Sequence, residues 1–441
     1  MITHVIPQLP LVGRRQLPVI PPGERQVLVE LDTPLGAARV GTNTWDIVDR
    51  QRLSPPQVAL ELYRLAVLAY TADTRLDRAH AFDGWQRRIA LYLPVSSAAA
   101  WRRGASTAES LLTFLTGDAW SVRLVPYNWP RSRQHKILRR RARPFTTSTV
   151  SLFSGGLDSL IGAIDLAAAG TPTYLVGHFE SGMTKKVQAG LFRELTGEYP
   201  DFARLLQFMV QPGVGITGET EPTTRSRSFL FLSLATLVAA SLGGIRRVIL
   251  PENGFIALNP PMTPTRLGPL STRTAHPHTL DLFQALLDRI GIELALDAPY
   301  ALSTKGEMIA DCQNQTLLRR IAPSSMSCAH PTSGRWREGV GYKHCGRCVP
   351  CLIRRASMYA AGWDGPSEYR MDILQARSST PNLEDVRAFL TAIDRARTEP
   401  PLRSVLRAGP LPGRVADYGD VYRRGLQEAA AFLATRRTRR L

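Results

Sequence analysis

Between residues 148 and 296 the chain alternates two textures. Short β-rich apolar runs, STVSLF (148–153), TYLVGH (173–178), LLQFMV (205–210) and RRVILP (246–251), are separated by segments with helical spacing at 157–169, 228–245 and 279–290. A last short strand is expected near 292–296. Strands alternating with helices predict an α/β fold, a doubly wound parallel sheet with helices on both faces. Ligands of such sheets bind at the carboxyl ends of the strands, and SGGLDS (154–159) falls at such an end.

The flanking regions read differently. Residues 1–145 are expected to form an extra N-terminal domain: a Pro-rich start that suggests strands or an extended arm, a helix at 57–69, a strand at 89–95 and a short helix at 110–115. No catalytic motif occurs in this region. It ends in RSRQHKILRRRAR (131–143), with seven Lys/Arg in 13 residues, either a phosphate-binding strip or a solvated interdomain linker. The α/β domain is expected over 146–362, with a helix at 352–361 before its end. Residues 363–441 read as a helical extension, notably at 384–396 and 415–435, with a basic end, RRTRRL, expected to be a frayed terminus.

Composition narrows the class. With 44% hydrophobic and 21% charged residues, the chain is neither disordered nor fibrous. The formal charge of +18 favours phosphorylated partners and leaves nucleic acid open. Only five of the 55 basic residues are lysine, however, an imbalance typical of compositional bias, so charge alone says little. The scarcity makes each lysine more informative. The 18 uncharged residues at 228–245 reach only the lower edge of the roughly 20 needed to span a membrane. Ser228, Ser233, Thr236, Ser241 and Gly243-Gly244 interrupt them, and they read as a buried helix. The start MITHVIPQLP lacks a secretory pattern, and a cytoplasmic protein with no membrane association is expected.

Two constellations carry chemistry. Ser154, Gly155, Gly156, Leu157, Asp158 and Ser159 follow a strand and open a helix. Two glycines allow a tight turn and close approach to an anion, the serines add hydroxyl donors, and the helix N-terminus adds free N–H groups. Asp158 suits the helix dipole and is placed to contact magnesium bound to phosphates. A Walker lysine is absent. The alternative is a Gly-rich turn with a serine cap. The second constellation is Cys345-x2-Cys348-x2-Cys351 with Cys328 upstream. Clustered cysteines without a signal peptide argue for metal, and four thiolates close a structural zinc site. An iron–sulfur cluster accepts the same ligands, a redox dithiol is a third reading, and His344 is a substitute ligand. Cys312 lies apart and reads as a buried thiol.

SGGLDS resembles the PP-loop of the N-type ATP pyrophosphatases, which cleave ATP between the α and β phosphates and adenylate a substrate oxygen. With CGRCVPCLIRR (345–355) after Cys328, the chain resembles the QueC family, the 7-cyano-7-deazaguanine synthases. RSRSFLFLSLA (225–235) is similar to that family's GRN-xx-FLSLA segment, with Arg227 at its Arg and Ser228 replacing its Asn. TKGEM (304–308) is similar to its TKxEI segment, with one of the five lysines, Lys305, in place. The resemblance spans roughly 148–360. It implies a sheet of adenine-nucleotide alpha hydrolase type, ATP and Mg2+ as cofactors, and pyrophosphate held by Ser154, Gly155, Gly156 and Ser159.

The departures bear on the substrate. The family has no counterpart of 1–145 or 363–441, and its substrate loops are replaced here by HFESGMTKKVQ (178–188) and the long segment 251–277. The longer architecture, with ENG…NPP and STRTAHP, looks like the QueC-like proteins of bacterial anti-phage systems, particularly the Qat system. An ATP-dependent ligase is therefore expected. It would adenylate a carboxylate, of a deazaguanine-like small molecule, and form an amide or nitrile alongside partner proteins of a defence operon. Alternatives are the housekeeping nitrile synthase and a nucleic-acid-binding defence subunit with a nucleotide-sensing site. Asp158, Lys305, Arg227 and Glu252 are the expected catalytic residues, and His178 is expected to contact adenine. Glu252 and Asn253 directly follow a strand. Arg266, Arg273, His276 and His278 lie in the following loop, where Arg273 or His276 is a candidate for base or carboxylate recognition; Lys185 and Lys186 are further phosphate candidates.

Overall fold

The computed structural model describes residues 1–8, 18–31, 38–96, 98–127, 145–222, 225–244, 246–262, 273–331, 342–377 and 379–435. The basic strip 131–143, Arg266 and the tail 436–441 lie outside them.

The first part of the chain runs β1 (Ile2–Gln8), β2 (Arg25–Glu30), β3 (Val40–Thr42), α1 (Thr44–Gln51), α2 (Gln57–Arg75), β4 (Arg88–Val95), α3 (Ala98–Thr116) and β5 (Ala119–Pro126). Four of these strands form an all-parallel sheet in the order β2-β1-β4-β5. Of the Pro-rich start, residues 2–8 are thus a paired strand, as the first of the two expectations has it. The short helix expected at 110–115 is the end of a helix that begins at Ala98. Its first turns put small residues, Gly104, Thr107 and Ala108, at buried positions, where another helix packs closely and no strong apolar signal results.

The second part runs β6 (Thr149–Leu152), α4 (Leu157–Ala168), β7 (Thr173–His178), α5 (Gly182–Glu198), β8 (Ala203–Phe208), β9 (Val210–Pro212), α6 (Arg227–Ala239), β10 (Arg247–Ile249), α7 (Gly254–Leu258), α8 (Pro277–Ile290), β11 (Ala295–Asp297), α9 (Lys305–Asp311) and α10 (Gln315–Ile321). Its five-stranded sheet is all parallel, in the order β11-β10-β6-β7-β8. The apolar run at 205–210, a single strand by its pattern, is split. β8 ends at Phe208, and β9 turns away to pair antiparallel with β3 of the first part. From β6 the chain places β7 and β8 on one side, then returns to lay β10 and β11 on the other. The connections leaving β6 and β10 diverge at this topological switch point and open a crevice.

Helices α11 (Val349–Ala360), α12 (Glu384–Arg395), α13 (Pro401–Leu406) and α14 (Val415–Ala434) close the chain. They share an apolar cluster with Phe255 and Leu258 of α7.

One continuous core joins the two sheets, drawing on β1, β2, β4, α2 and α3 together with β6 to β8, β10, α6 and α8. Every residue of α2 from Ala59 to Thr74 is buried, so this helix lies between layers with no solvent face over that stretch. The apolar run from Ser228 becomes α6 as far as Ala239, buried on nearly every face. Among the described residues, no helix is long and apolar enough to cross a membrane. α3 packs on α8 through Gly104, where a Cβ would lie 2.5 Å from Ile290 Cγ2 and 3.1 Å from Leu286 Cδ1. Gly104→Val is expected to lower unfolding free energy by about 1–3 kcal/mol through overpacking. Gly190→Ala, in open space on α5, should raise it by about 0.5–1 kcal/mol. Chemical denaturation of both variants checks the pair.

Candidate functional site

The crevice at the switch point holds a cavity of about 330 Å3, lined by Ser154, Gly156 to Ser159, Arg225, Arg227, Glu252, Lys305 and Ser327, with apolar walls from Leu152, Phe231, Leu232 and Ile256. Two of the chain's strongest sequence signals, the SGGLDS loop and TKGEM, therefore meet in one place.

The loop is shaped by its own polar groups. Gly155 adopts φ +87°, and a Cβ there would sit 3.1 Å from Val187 Cγ1, so the turn needs glycine. Ser159 Oγ accepts from Gly155 N (3.2 Å) and donates to Gly156 O (2.9 Å), while Ser154 Oγ accepts from Gly156 N (3.2 Å). The serine hydroxyls expected to face phosphate thus brace the turn. Ser327 Oγ accepts from Leu157 N at the head of α4 (3.1 Å), and Met326 N donates to Gly155 O (2.8 Å).

Asp158 is engaged on both oxygens. Lys305 Nζ lies 2.6 Å from Oδ1, and Asn253 Nδ2 donates to Oδ2 (2.7 Å). Asn253 also caps α7 through Ile256 N. Lys305 is only 4% exposed and is the first residue of α9, whose start is fixed by a capping box between Thr304 and Glu307. Glu428 of α14 reaches across to accept from Thr304 Oγ1 and from Gly306 N, and Arg424 pairs with Glu307 at 2.6 Å. The C-terminal helix thereby sets where Lys305 points. Glu252 lines the same cavity. Burial, and then the Asp158 charge, push its carboxyl up to about 7, against the pull of Lys305.

Opposite the loop stands the start of α6. Arg227 donates through Nε to His178 Nδ1 (3.3 Å) and lies 3.4 Å from Glu180 Oε1. His178 is buried, and burial followed by the Arg227 charge lowers it to about 4, so it is neutral and able to accept this bond. It does not line the cavity; it holds Arg227 instead. Arg225 is a site residue that sequence reasoning misses. It lines the cavity, donates to Thr116 O (2.7 Å) and stacks on Trp85. Burial, and then Arg78, lower it to about 10, which leaves it charged near neutrality. Asp73 at the end of α2 accepts from both Ser226 N (2.8 Å) and Ser226 Oγ (2.9 Å), fixing the head of α6.

The remaining candidates lie elsewhere. Arg273 donates to Phe114 O (2.6 Å) and stacks on its ring, and His276 caps α8. Both anchor structure. Lys185 stands over the Phe179 ring, 5.2 Å from its centroid. Cys312 is a buried thiol, pushed up to about 12 chiefly by burial.

Cys328, Cys345, Cys348 and Cys351 bring four sulfurs within 4.8 Å of one another, a set able to hold a metal ion such as zinc. Cys328 and Cys348 are 4.0 Å apart, and Cys345 and Cys351 are 3.8 Å apart. The edge of a tetrahedron of Zn–S bonds of about 2.3 Å is about 3.8 Å. Backbone N–H groups of His330 and Cys345 donate to Cys328 Sγ, and that of Cys348 to Cys345 Sγ. Gly346, at φ +83°, leaves no room for a Cβ, which would lie 2.1 Å from Met371 O. His344 Nε2 accepts from Ser327 N (3.2 Å), so this ring ties the cysteine segment to the SGGLDS loop instead of joining the ligands. Arg354 and Arg355 of CLIRR are buried and structural: Arg354 donates to Ser325 Oγ and Ala322 O, and Arg355 pairs with Asp364 and Asp372.

No family model and no curated protein matches this chain. The class is therefore defined by architecture and site: an α/β protein with parallel sheets, a crevice at the switch point that carries Arg225, Arg227 and Lys305, and a four-cysteine set able to hold a metal ion.

Cys348→Ser should lower bound metal and depress thermal stability together, because a structural metal site contributes directly to folding free energy. Metal analysis by plasma emission alongside calorimetry checks this. Glu252, raised from 4.5 to about 7 in the fold, contributes stability that is full below pH 4.5 and lost as pH rises through about 7. Glu252→Gln should therefore overtake the parent protein as pH rises from 4.5 to 7, and stay ahead by about 2–3 kcal/mol at pH 8. Urea melts at pH 4.5 and pH 8 measure the crossing.

Proposed function

We propose that the crevice binds ATP and transfers its adenylyl group to a carboxylate, releasing pyrophosphate. The observation that carries this reading is the pairing of a lysine-free Ser-Gly-Gly turn at the head of α4 with Arg225, Arg227 and Lys305 around one cavity. A helix N-terminus and three cations suit a polyphosphate. A Walker loop would instead use its lysine to present the γ-phosphate.

In the proposed reaction a carboxylate oxygen of the acceptor attacks the α-phosphorus. The bond from that phosphorus to the bridging oxygen breaks, and its electron pair leaves with pyrophosphate. The positive end of α4 and the three cations that line the cavity hold the departing anion. A nitrogen nucleophile then displaces AMP, forming a carbon–nitrogen bond. Glu252 is the carboxylate that would hold magnesium, which supplies charge neutralisation to the phosphates when bound; the oxygens of Asp158 are taken by Lys305 and Asn253. Zinc at the four cysteines has a structural role, since all four ligands come from the chain.

The acceptor proposed is a 7-deazaguanine-like carboxylate, and the setting is a QueC-like ligase of bacterial anti-phage defence, acting in the cytoplasm with partner proteins of its operon. The sequence resemblances at 154–159, 225–235, 304–308 and 345–355 support this, and residues of all four segments, Pro350 for the last, line one cavity.

The products should be AMP and pyrophosphate. Asp158→Asn, which loses the charge facing Lys305, and Ser159→Ala, which unbraces the turn, should each lower turnover by about 30- to 1,000-fold. Chromatography of labelled nucleotides, with and without a deazaguanine carboxylate and operon proteins, reads the result. ADP as product, or full turnover in both variants, overturns the reading in favour of a nucleotide-sensing or nucleic-acid-binding subunit.

A further inference from the structure

Arg227 is gripped from behind. Its Nε faces His178 Nδ1 at 3.3 Å and Glu180 Oε1 at 3.4 Å. Among the described residues its two terminal nitrogens have no hydrogen-bond partner, and the side chain lines the cavity. A guanidinium held at Nε keeps its terminal N–H groups for bidentate contact with an oxyanion. What holds the grip comes from the other sheet. Tyr70 of α2, only 3% exposed, donates its hydroxyl to Glu180 Oε1 at 2.6 Å. Its ring meets His178 edge-on, with centroids 6.0 Å apart and planes at 88°. One buried side chain thus touches both groups that hold Arg227. Glu180 itself is about 40% exposed, so Tyr70 is the buried contact that fixes its rotamer.

We infer that Tyr70 is a positioning residue: the N-terminal part of the chain aims Arg227 at an oxyanion in the cavity through the Glu180–His178 grip. The inference rests on the reading that the cavity binds an oxyanion, whether a phosphate of the nucleotide or the carboxylate of the acceptor. It assigns to residues 1–127 a share in the site that no motif in that region announces.

The test compares the full chain with Tyr70→Phe, Arg227→Ala, the double variant and Glu180→Gln. Calorimetric titration with Mg-ATP, pyrophosphate, AMP and a 7-deazaguanine carboxylate gives a Kd for each, and scanning calorimetry gives Tm. Tyr70→Phe should weaken one oxyanion ligand on the order of 10-fold, since misaiming a bound group is costly even without loss of a contact. Tm should stay unchanged. The double variant should bind no worse than Arg227→Ala alone, because both changes disable one unit. Glu180→Gln keeps an acceptor for Tyr70 but loses its charge, and should weaken the same ligand. Loss confined to ATP and pyrophosphate places the fork on phosphate; loss confined to the deazaguanine carboxylate places it on the acceptor. Additive losses in the double variant, or wild-type affinities in Tyr70→Phe, overturn the inference. If ATP is not cleaved to AMP yet the non-additive weakening is seen, the grip stands and the adenylation reading alone falls.

Discussion

Lys305 and Asp158 form a buried ion pair of 2.6 Å, and most of the site hangs on it. An ammonium removed from water is costly unless a carboxylate meets it, so the pair must form for the fold to close. Forming it brings together the first turn of α4, the end of β10 through Asn253, and the start of α9. α9 in turn is held by Glu428 and Arg424 from the last helix. Truncating either partner strands the other charge, so three distant stretches of chain are held to one contact.

The second constraint is the burial of α2. A helix with no solvent face needs apolar layers on all sides, and the first sheet on one side and α6 on the other supply them. The β3–β9 ladder stitches the same junction at its rim. Asp73, in the last turn of α2, meets Arg87 at 2.8 Å as well as Ser226. The head of α6 is therefore built on the first part of the chain, and the cavity wall that carries Arg225 and Arg227 inherits that placement.

What the sequence disclosed followed from locality. TYLVGH is β7 from end to end, and SGGLDS sits between a strand and a helix because its glycines and serine hydroxyls act within six residues. The cysteine set was legible because metal ligands keep short spacings. The rest depends on separations that no window sees. Tyr70 lies 110 residues from Glu180, and Thr304 lies 124 from Glu428. Strand β9 is three residues long and exists only because β3 is beside it. Arg225 stands inside a segment with family resemblance, yet one arginine among so many carries no signal; burial beside Trp85 distinguishes it. Sequence position makes Asp158 a magnesium ligand, whereas its two oxygens already meet Lys305 and Asn253.

The N–H that opens α4 is satisfied by Ser327, 170 residues downstream, and Ser327 is itself steadied by His344 beside the cysteines. A ribosome delivers residues in order, at about 5–20 per second. The glycine turn and its strand emerge early, but their last polar partner arrives only after the whole second sheet has been made. Until then the turn has no partner for its first amide, and the helix that steadies the lysine beside it, α14, comes later still. A nascent or clipped chain ending before residue 327 is thus a sheet without a finished anion cradle, and the binding proposed for the crevice becomes a property of the completed polypeptide, cysteine set included.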